Sequence, residues 1–165
     1  RPMSELPRLE EKIPALVAQA GPRRLLAVGS LARDLVAPGI ADATELTTIP
    51  AAGAEKALAE KGHQDMAVIA GELNELTPHG AAQMLSQLRD LYAAWVIVVT
   101  DRDAPPAGLT RKDLVGLGFS LLGDAMHGDN PVHVYEFDMA TYKTTPDWLN
   151  SRYWANPELW DKYRW

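Results

Sequence analysis

Apolar runs alternate with amphipathic segments along the chain, and this alternation predicts the order of its secondary structure. Residues 25–29, 65–71 and 95–100 form apolar runs without alternation, which is typical of strands buried on both faces of a sheet. Residues 44–49 are rich in β-branched side chains and predict another strand. Because helical segments separate these runs, the pattern predicts a doubly wound α/β domain with residues 95–100 near the centre of its sheet.

Apolar residues at helical spacing lie before and between the predicted strands. Residues 4–20 have this spacing, but Pro14 interrupts it, so we expect a short helical turn and then a second helix from Pro14. Thr77 and Pro78 are typical of a helix start, with threonine at the cap and proline in the first turn. The apolar face predicted for this helix consists of Met84, Leu85, Leu88, Leu91 and Tyr92.

The last part of the predicted domain has a different pattern. Thr110 and Asp113 have the spacing of a capping box and predict a helix start. Residues 119–122 and 132–137 then predict two strands joined by a turn, with no helix between them. Because consecutive strands without a crossover cannot pair in parallel, we expect an antiparallel hairpin at this end of the sheet.

Composition narrows the classes of protein that the chain fits. A net charge of −6 argues against a nucleic-acid partner, because phosphate binding needs a basic surface. The sequence contains no cysteine and no apolar run of about 18 residues, which argues against disulfides, thiolate chemistry and a membrane span. We therefore expect a cytoplasmic protein that has no secretory signal and whose native start is Met3.

The turn after the first strand is the first candidate ligand site. Ligands of doubly wound sheets bind at the carboxyl ends of the strands, often beside this turn. Gly29 and Ser30 form the turn, and Arg33 follows within the predicted helix. One interpretation is an anion site made by the serine hydroxyl, backbone amides and the guanidinium. The other is a helix-capping serine followed by a surface arginine.

Acidic and amide side chains follow the third predicted strand. Glu72, Asn74 and Glu75 come directly after it and are expected at the carboxyl edge of the sheet. A carboxylate there can accept a proton or orient a substrate amine. Alternatively, these residues form a solvated loop in which acids favour the next helix N-terminus.

The sequence favours no metal site. The four histidines, including His79 in a predicted first helical turn, occur singly without the spacing of metal ligands. Asp101 and Asp103 lie in a loop where two acids are more commonly solvated than bound to an ion. We expect no metal in this protein.

Three segments carry a resemblance to a known family. They are RLLAVGS at residues 24–30, HQDMAVIAGELNEL at 63–76 and KDLVGLGFSLL at 112–122. In this order they resemble the class I S-adenosylmethionine-dependent methyltransferases. The resemblance covers residues 24–138 and implies a three-layer, Rossmann-like α/β fold with a mostly parallel open sheet and a C-terminal antiparallel hairpin. One β-α unit of the family is missing between Lys61 and Asp65.

The resemblance also implies a site for S-adenosylmethionine. It places Gly29, Ser30, Arg33, Thr48 and Gly71 at the cofactor, and Glu72 and Asn74 as the catalytic residues. The first loop departs from the family's glycine pattern, since Leu31 and Arg33 replace glycines. The second strand ends without the family's acidic residue and has Thr48 near that position.

Two functions therefore stay open at the level of sequence. The first is a methyltransferase-like protein that binds S-adenosylmethionine or a related nucleoside. The second is a non-catalytic, degenerate domain with no cofactor that binds a partner protein.

The C-terminal segment has an unusual composition. It contains Trp148, Trp154, Trp160 and Trp165, and so many large rings are expected to pack on the domain, on a second copy of the chain or on another protein. The segment resembles an uncharacterised bacterial family of unknown function. We divide the chain into an N-terminal helical segment at residues 1–22, the α/β domain at 23–140 and this aromatic tail at 141–165.

Overall fold

The fold comes from a computed structural model that describes residues 6–71, 73 and 76–138. The predicted catalytic residues Glu72 and Asn74, the neighbouring Glu75 and the aromatic tail at 141–165 lie outside the described residues. Predictions about these residues therefore stay predictions.

A single sheet forms the middle layer of the described domain. Its strands are β1 (Arg24–Val28), β2 (Glu45–Ile49), β3 (Gln64–Ile69), β4 (Ala93–Asp101), β5 (Ser120–His127) and β6 (Asn130–Asp138). They lie in the order β2-β1-β3-β4-β6-β5. The first four strands pair in parallel, and β6 pairs antiparallel with both β4 and β5. The predicted mostly parallel sheet with an antiparallel hairpin is confirmed, and β3 and β4 are its central strands.

Helices cover both faces of the sheet. They are α1 (Leu9–Ala20), α2 (Ser30–Val36), α3 (Ala54–Lys61), α4 (Pro78–Gln87) and α5 (Arg111–Gly116). One apolar core lies between the sheet and α1 and α2, and a second lies between the sheet and α3, α4 and α5. This is the predicted three-layer architecture. Among the described residues, no helix has both the length and the apolar character needed to cross a bilayer.

The order of the strands creates a switch point beside β1. The chain moves from β1 to β2 on one side, and then returns across β1 to β3 on the other. Doubly wound sheets bind ligands in the crevice that such a reversal opens at the carboxyl edge. The topology therefore directs attention to the segments that follow β1, β2 and β3.

The N-terminal helix differs from the prediction. The segment forms one helix, Leu9–Ala20, with Pro14 inside it, and the expected break at Pro14 is wrong. Proline normally removes a helical hydrogen bond and strains the preceding turn. Here Leu9 and Ile13 before the proline and Leu16 after it are all buried against the sheet, so packing on both sides keeps the helix continuous.

The end of α4 also differs from the prediction. Leu91 is 62% exposed and does not belong to the apolar face of this helix. A single π-helical turn, Leu88–Tyr92, follows α4 and changes the angular position of the residues after Leu88. The predicted apolar face is therefore wrong at Leu91, whereas Leu88 is buried and Tyr92 packs partly buried against the same core.

Candidate functional site

Gly29 links the ends of three strands at the switch point. It has φ +96°, it is buried, and its amide donates to the carbonyl of Ile49 at the end of β2 over 2.9 Å. A Cβ at this position would lie 2.5 Å from the carbonyl oxygen of Ala70, which follows β3. Glycine is needed here because the backbones of the first turn and of β3 approach so closely.

Gly71 has a similar role on the other side of this crevice. Its φ is +77°, and a Cβ there would lie 2.8 Å from the Cβ of Leu31 in the first turn of α2. The leucine that replaces a glycine of the family pattern thus lies against a glycine in the facing loop. The crevice between β1 and β3 is consequently narrow at this depth.

The other predicted cofactor residues lie around this crevice without closing on a common point. Ser30 is the exposed first residue of α2, with Gly29 at the cap position. The Arg33 guanidinium pairs with Asp34 over 3.3 Å, and both side chains are mostly exposed. Thr48 is exposed on β2, opposite Ala27 of β1 and therefore on the sheet face that carries α1 and α2.

A cavity of about 360 Å³ lies at the same edge of the sheet, between α3 and α4. It is lined by Ala51, Gly53, Ala54, Lys56, Leu76, Gly80 and Met84. Ala51 follows β2 and Leu76 follows β3, so the cavity is formed by the segments that the switch point separates. Its volume falls in the range of about 300–1,000 Å³ that small-molecule sites occupy.

Sequence reasoning missed these lining residues for a physical reason. Alanines, a leucine and a methionine at helical spacing have the pattern of an ordinary core, and Ala54 and Met84 are indeed buried. The space between α3 and α4 arises from how the two helices lie on the sheet, which spacing within either helix does not encode. Only Gly53 and Gly80 gave a local signal, since small residues line a space that larger side chains would fill.

The acids considered for a metal have other partners. One oxygen of Asp101 accepts from the backbone amides of Asp103 and Ala104, and the other accepts from the Asn130 side chain. The Ala104 amide, followed by the Asn130 amide, holds the pKa of Asp101 below its usual range. Within the described residues, no three His, Asp or Glu side chains come together in a way that could hold a metal ion.

The chain matches one protein family over most of its length. A model of the family of unknown function (DUF6231) matches residues 7–165. The chain belongs to this family. No curated protein sequence is significantly similar to it.

Solved structures resemble the fold of this DUF6231 protein at low sequence identity. The N-terminal domain of EvdMO1, crystallised in the presence of SAH and D-fucose, is 14% identical with a TM-score of 0.52, over 79% of this chain and 82% of that one. An O-methyltransferase from Bacillus cereus in complex with SAH is 11% identical with a TM-score of 0.53, over 77% and 79%. A SAM-dependent methyltransferase from Aquifex aeolicus is 13% identical with a TM-score of 0.50, over 80% and 90%. These similarities confirm the predicted methyltransferase-like, Rossmann-like fold.

Proposed function

We propose that this protein binds S-adenosylmethionine, or a closely related adenine nucleoside, at the carboxyl edge of its sheet and is a methyltransferase. The observation that carries the proposal is the cavity between α3 and α4, next to the switch point of the sheet. Proteins of similar fold were crystallised with SAH, the product form of this cofactor. When bound, the cofactor supplies a methyl group on a positively charged sulfur.

The cavity residues fit the adenosine part of such a ligand. Ala51, Leu76 and Met84 offer apolar surface on which a flat purine can pack. Lys56 lies exposed at the edge of the cavity. We assign the purine to this cavity, and we keep Gly29, Ser30 and Gly71 as the residues nearest the methionine part.

The end of β2 fits the ribose less well. Glu45 is at the start of β2, four residues from the carboxyl edge, where its carboxylate lies 4.0 Å from the Arg24 guanidinium. Thr48, near the family's acidic position, lies on the face that carries α1 and α2, away from the cavity, and so does not replace a carboxylate that would accept from the ribose hydroxyls. We therefore expect the purine contacts to supply most of the affinity. Glu72 and Asn74 stay our candidates for the groups that face the acceptor substrate.

A thermal melt with SAH tests the proposal. A ligand at about 100 times its dissociation constant adds about 2.7 kcal/mol to the free energy of unfolding, so the midpoint should rise by several degrees. Gly80 lines the cavity, so Gly80→Phe introduces a large ring there. The one atom within 4 Å of an added Cβ is the Thr77 hydroxyl oxygen at 3.0 Å. We expect this variant to fold and to lose the SAH-dependent shift.

Gly116→Phe is the matched control. It introduces the same side chain on α5, where an added Cβ meets nothing within 4 Å. This variant should keep the full shift with SAH. An equal shift in both variants would place the ligand elsewhere, and no shift in the native protein at millimolar SAH would contradict nucleoside binding.

A further inference from the structure

A histidine, a carboxylate and an arginine form a connected group near the carboxyl end of β4. Nδ1 of His133 lies 2.5 Å from Oδ1 of Asp124, and Oδ2 of Asp124 lies 3.5 Å from Nη1 of Arg102. Their side chains are 21%, 24% and 27% exposed, so a small molecule can reach the group although most of it is shielded from water. The Asp124 contact makes Nδ1 the donor in a neutral ring and leaves Nε2 as a proton acceptor.

A β-bulge is what brings this histidine and carboxylate together. The pairing of β5 with β6 shifts between Leu121 and Gly123, and beyond the shift Asp124 lies directly opposite His133. Because side chains alternate between faces, removing the extra residue would turn Asp124 to the other face of the sheet. Bulges are common next to active sites because they redirect side chains in this way.

Two buried hydroxyl groups adjoin the pair. Thr100 of β4 lies directly opposite His133, and Tyr135 is the next β6 residue on the same face, its ring 5.8 Å from that of His133. Thr100 is 2% exposed and Tyr135 is fully buried, and neither hydroxyl has a hydrogen-bond partner among the described residues. Burying a hydroxyl group without a hydrogen-bond partner costs free energy. The hydroxyls of Thr100 and Tyr135 therefore indicate a place for a polar group from outside the chain.

Charges around the hydroxyl group of Tyr135 support the placement of a ligand's polar group here. Burial raises the pKa of Tyr135, the positive charge of Arg111 on α5 opposes the rise, and Asp124 adds to it. The phenol therefore stays protonated and can donate to an oxygen atom. Arg111 belongs to α5, which packs on the same face of the sheet as Tyr135.

We propose that His133 and Asp124 form an acceptor site for a phenol, in which Nε2 of His133 takes the proton of the phenolic hydroxyl. The inference rests on the proposed methyltransferase function and names its substrate class. Strand β6 is two strands away from β3, or about 10 Å at the usual strand spacing. The acceptor site and the nucleoside cavity thus lie at the same edge of the sheet.

Acidity favours a phenol over an aliphatic alcohol. Proton transfer to an imidazole near neutral pH is efficient only when the acid is not far weaker than the base. A phenol such as the tyrosine side chain titrates near 10, whereas water and the aliphatic alcohols that resemble it are far weaker acids. The unpartnered Thr100 and Tyr135 hydroxyls are suited to donate to the oxygen that becomes a phenolate.

The proposed step moves one proton and one methyl group. The phenolic O–H bond breaks and its proton goes to Nε2 of His133, giving an imidazolium that Asp124 stabilises. The oxygen forms a bond to the methyl carbon as that carbon's bond to the cofactor sulfur breaks. The products are a methyl ether and SAH, and the imidazolium then loses its proton to water.

Binding of 4-nitrophenol tests the acceptor site without any turnover. The phenolate form of this probe absorbs visible light, so ionisation on the protein is read directly at about pH 7, with and without SAH. A cationic partner lowers the pKa of a neighbouring acid by about 1–3 units, and we expect a shift of this size for the bound probe. His133→Gln should abolish the shift, and Asp124→Asn should reduce it.

His127→Gln is the matched control on the same hairpin. His127 also pairs with a carboxylate, with 2.8 Å between its Nδ1 and Oε1 of Glu10 on α1. This variant should leave the probe's ionisation unchanged, and melting curves should show that all three variants fold. A probe that fails to bind, or that ionises equally in His133→Gln, overturns the acceptor site. SAH binding that persists in His133→Gln would then show that the nucleoside site survives this failure.

Discussion

Gly29→Ala is expected to destabilise the fold by about 2–6 kcal/mol. A residue held at an unfavourable positive φ costs about 1–3 kcal/mol, and the glycine has φ +96° and ψ 154°. The new Cβ would also lie 2.5 Å from the Ala70 carbonyl oxygen, and overpacking of this kind adds about 1–3 kcal/mol. Urea unfolding of the two proteins, followed by far-UV circular dichroism, measures the difference.

Gly62→Ala separates the two causes. Gly62 has φ 74° and ψ −162°, in the same glycine-favouring region of backbone space, but an added Cβ meets nothing within 4 Å. We expect it to cost only the backbone part, about 1–3 kcal/mol. If the two variants lose equal stability, steric contact between the first turn and the segment after β3 adds nothing to the cost of Gly29→Ala. That result would contradict a narrow crevice at this point.

Lys12 is expected to make the stability of the native protein rise with pH above neutrality. The lysine is 5% exposed in α1, and burial lowers its pKa to about 6, with a smaller opposing effect of Glu11. Between pH 6 and 10.5 the unfolded chain binds a proton at this side chain that the folded chain does not. The contribution of Lys12 to the free energy of unfolding therefore increases with pH, by up to about 1.4 kcal/mol per pH unit.

Lys12→Met should remove this pH-dependent contribution. Urea unfolding at several pH values from 7 to 9 gives the slope for each protein, and the native slope should exceed that of Lys12→Met. Lys112→Met replaces an exposed lysine of α5 and should leave the native slope unchanged. Parallel pH profiles for the native protein and Lys12→Met would show that the buried amine keeps its proton in the folded state.

Local signals in the sequence predicted the architecture well. Thr77 accepts from the Gly80 amide at the start of α4, as its position before Pro78 indicated. Thr110 and Asp113 form the predicted capping box, in which each side chain accepts from the backbone amide of the other residue. Buried strands gave apolar runs because both of their faces are covered. These features depend on neighbours within a few residues, which is the range over which sequence patterns are informative.

Features that depend on distant neighbours could not be predicted in this way. Burial on the sheet keeps α1 helical through Pro14, and the sequence of the helix does not contain that information. Gly123 and Asp124 interrupt the apolar run of the first hairpin strand, so the run predicted a strand that ends at Leu122. The strand continues to His127 through the bulge, and the Asp124–His133 pair depends on that continuation.

Some parts of the candidate site could likewise be predicted from local sequence, and others could not. The turn at Gly29 and the carboxyl edge of the sheet followed from the order of the elements, and the structure places Gly29 and Gly71 at facing segments of that edge. The cavity between α3 and α4 depends on the packing of two helices whose lining residues, such as Ala54 and Met84, are distant in the chain. The partner-binding alternative depends on the aromatic tail at 141–165 and stays a prediction, as do the roles of Glu72 and Asn74.

Calorimetric titration of the purified protein with SAH tests the central proposal most directly. We predict saturable heat with one ligand per chain, retained in Gly116→Phe and lost in Gly80→Phe. The same protein should bind adenosine more weakly but at the same site, because the purine occupies the cavity lined by Ala51, Leu76 and Met84. Absence of heat with either ligand in the native protein, at concentrations up to millimolar, would contradict a nucleoside site at this edge of the sheet.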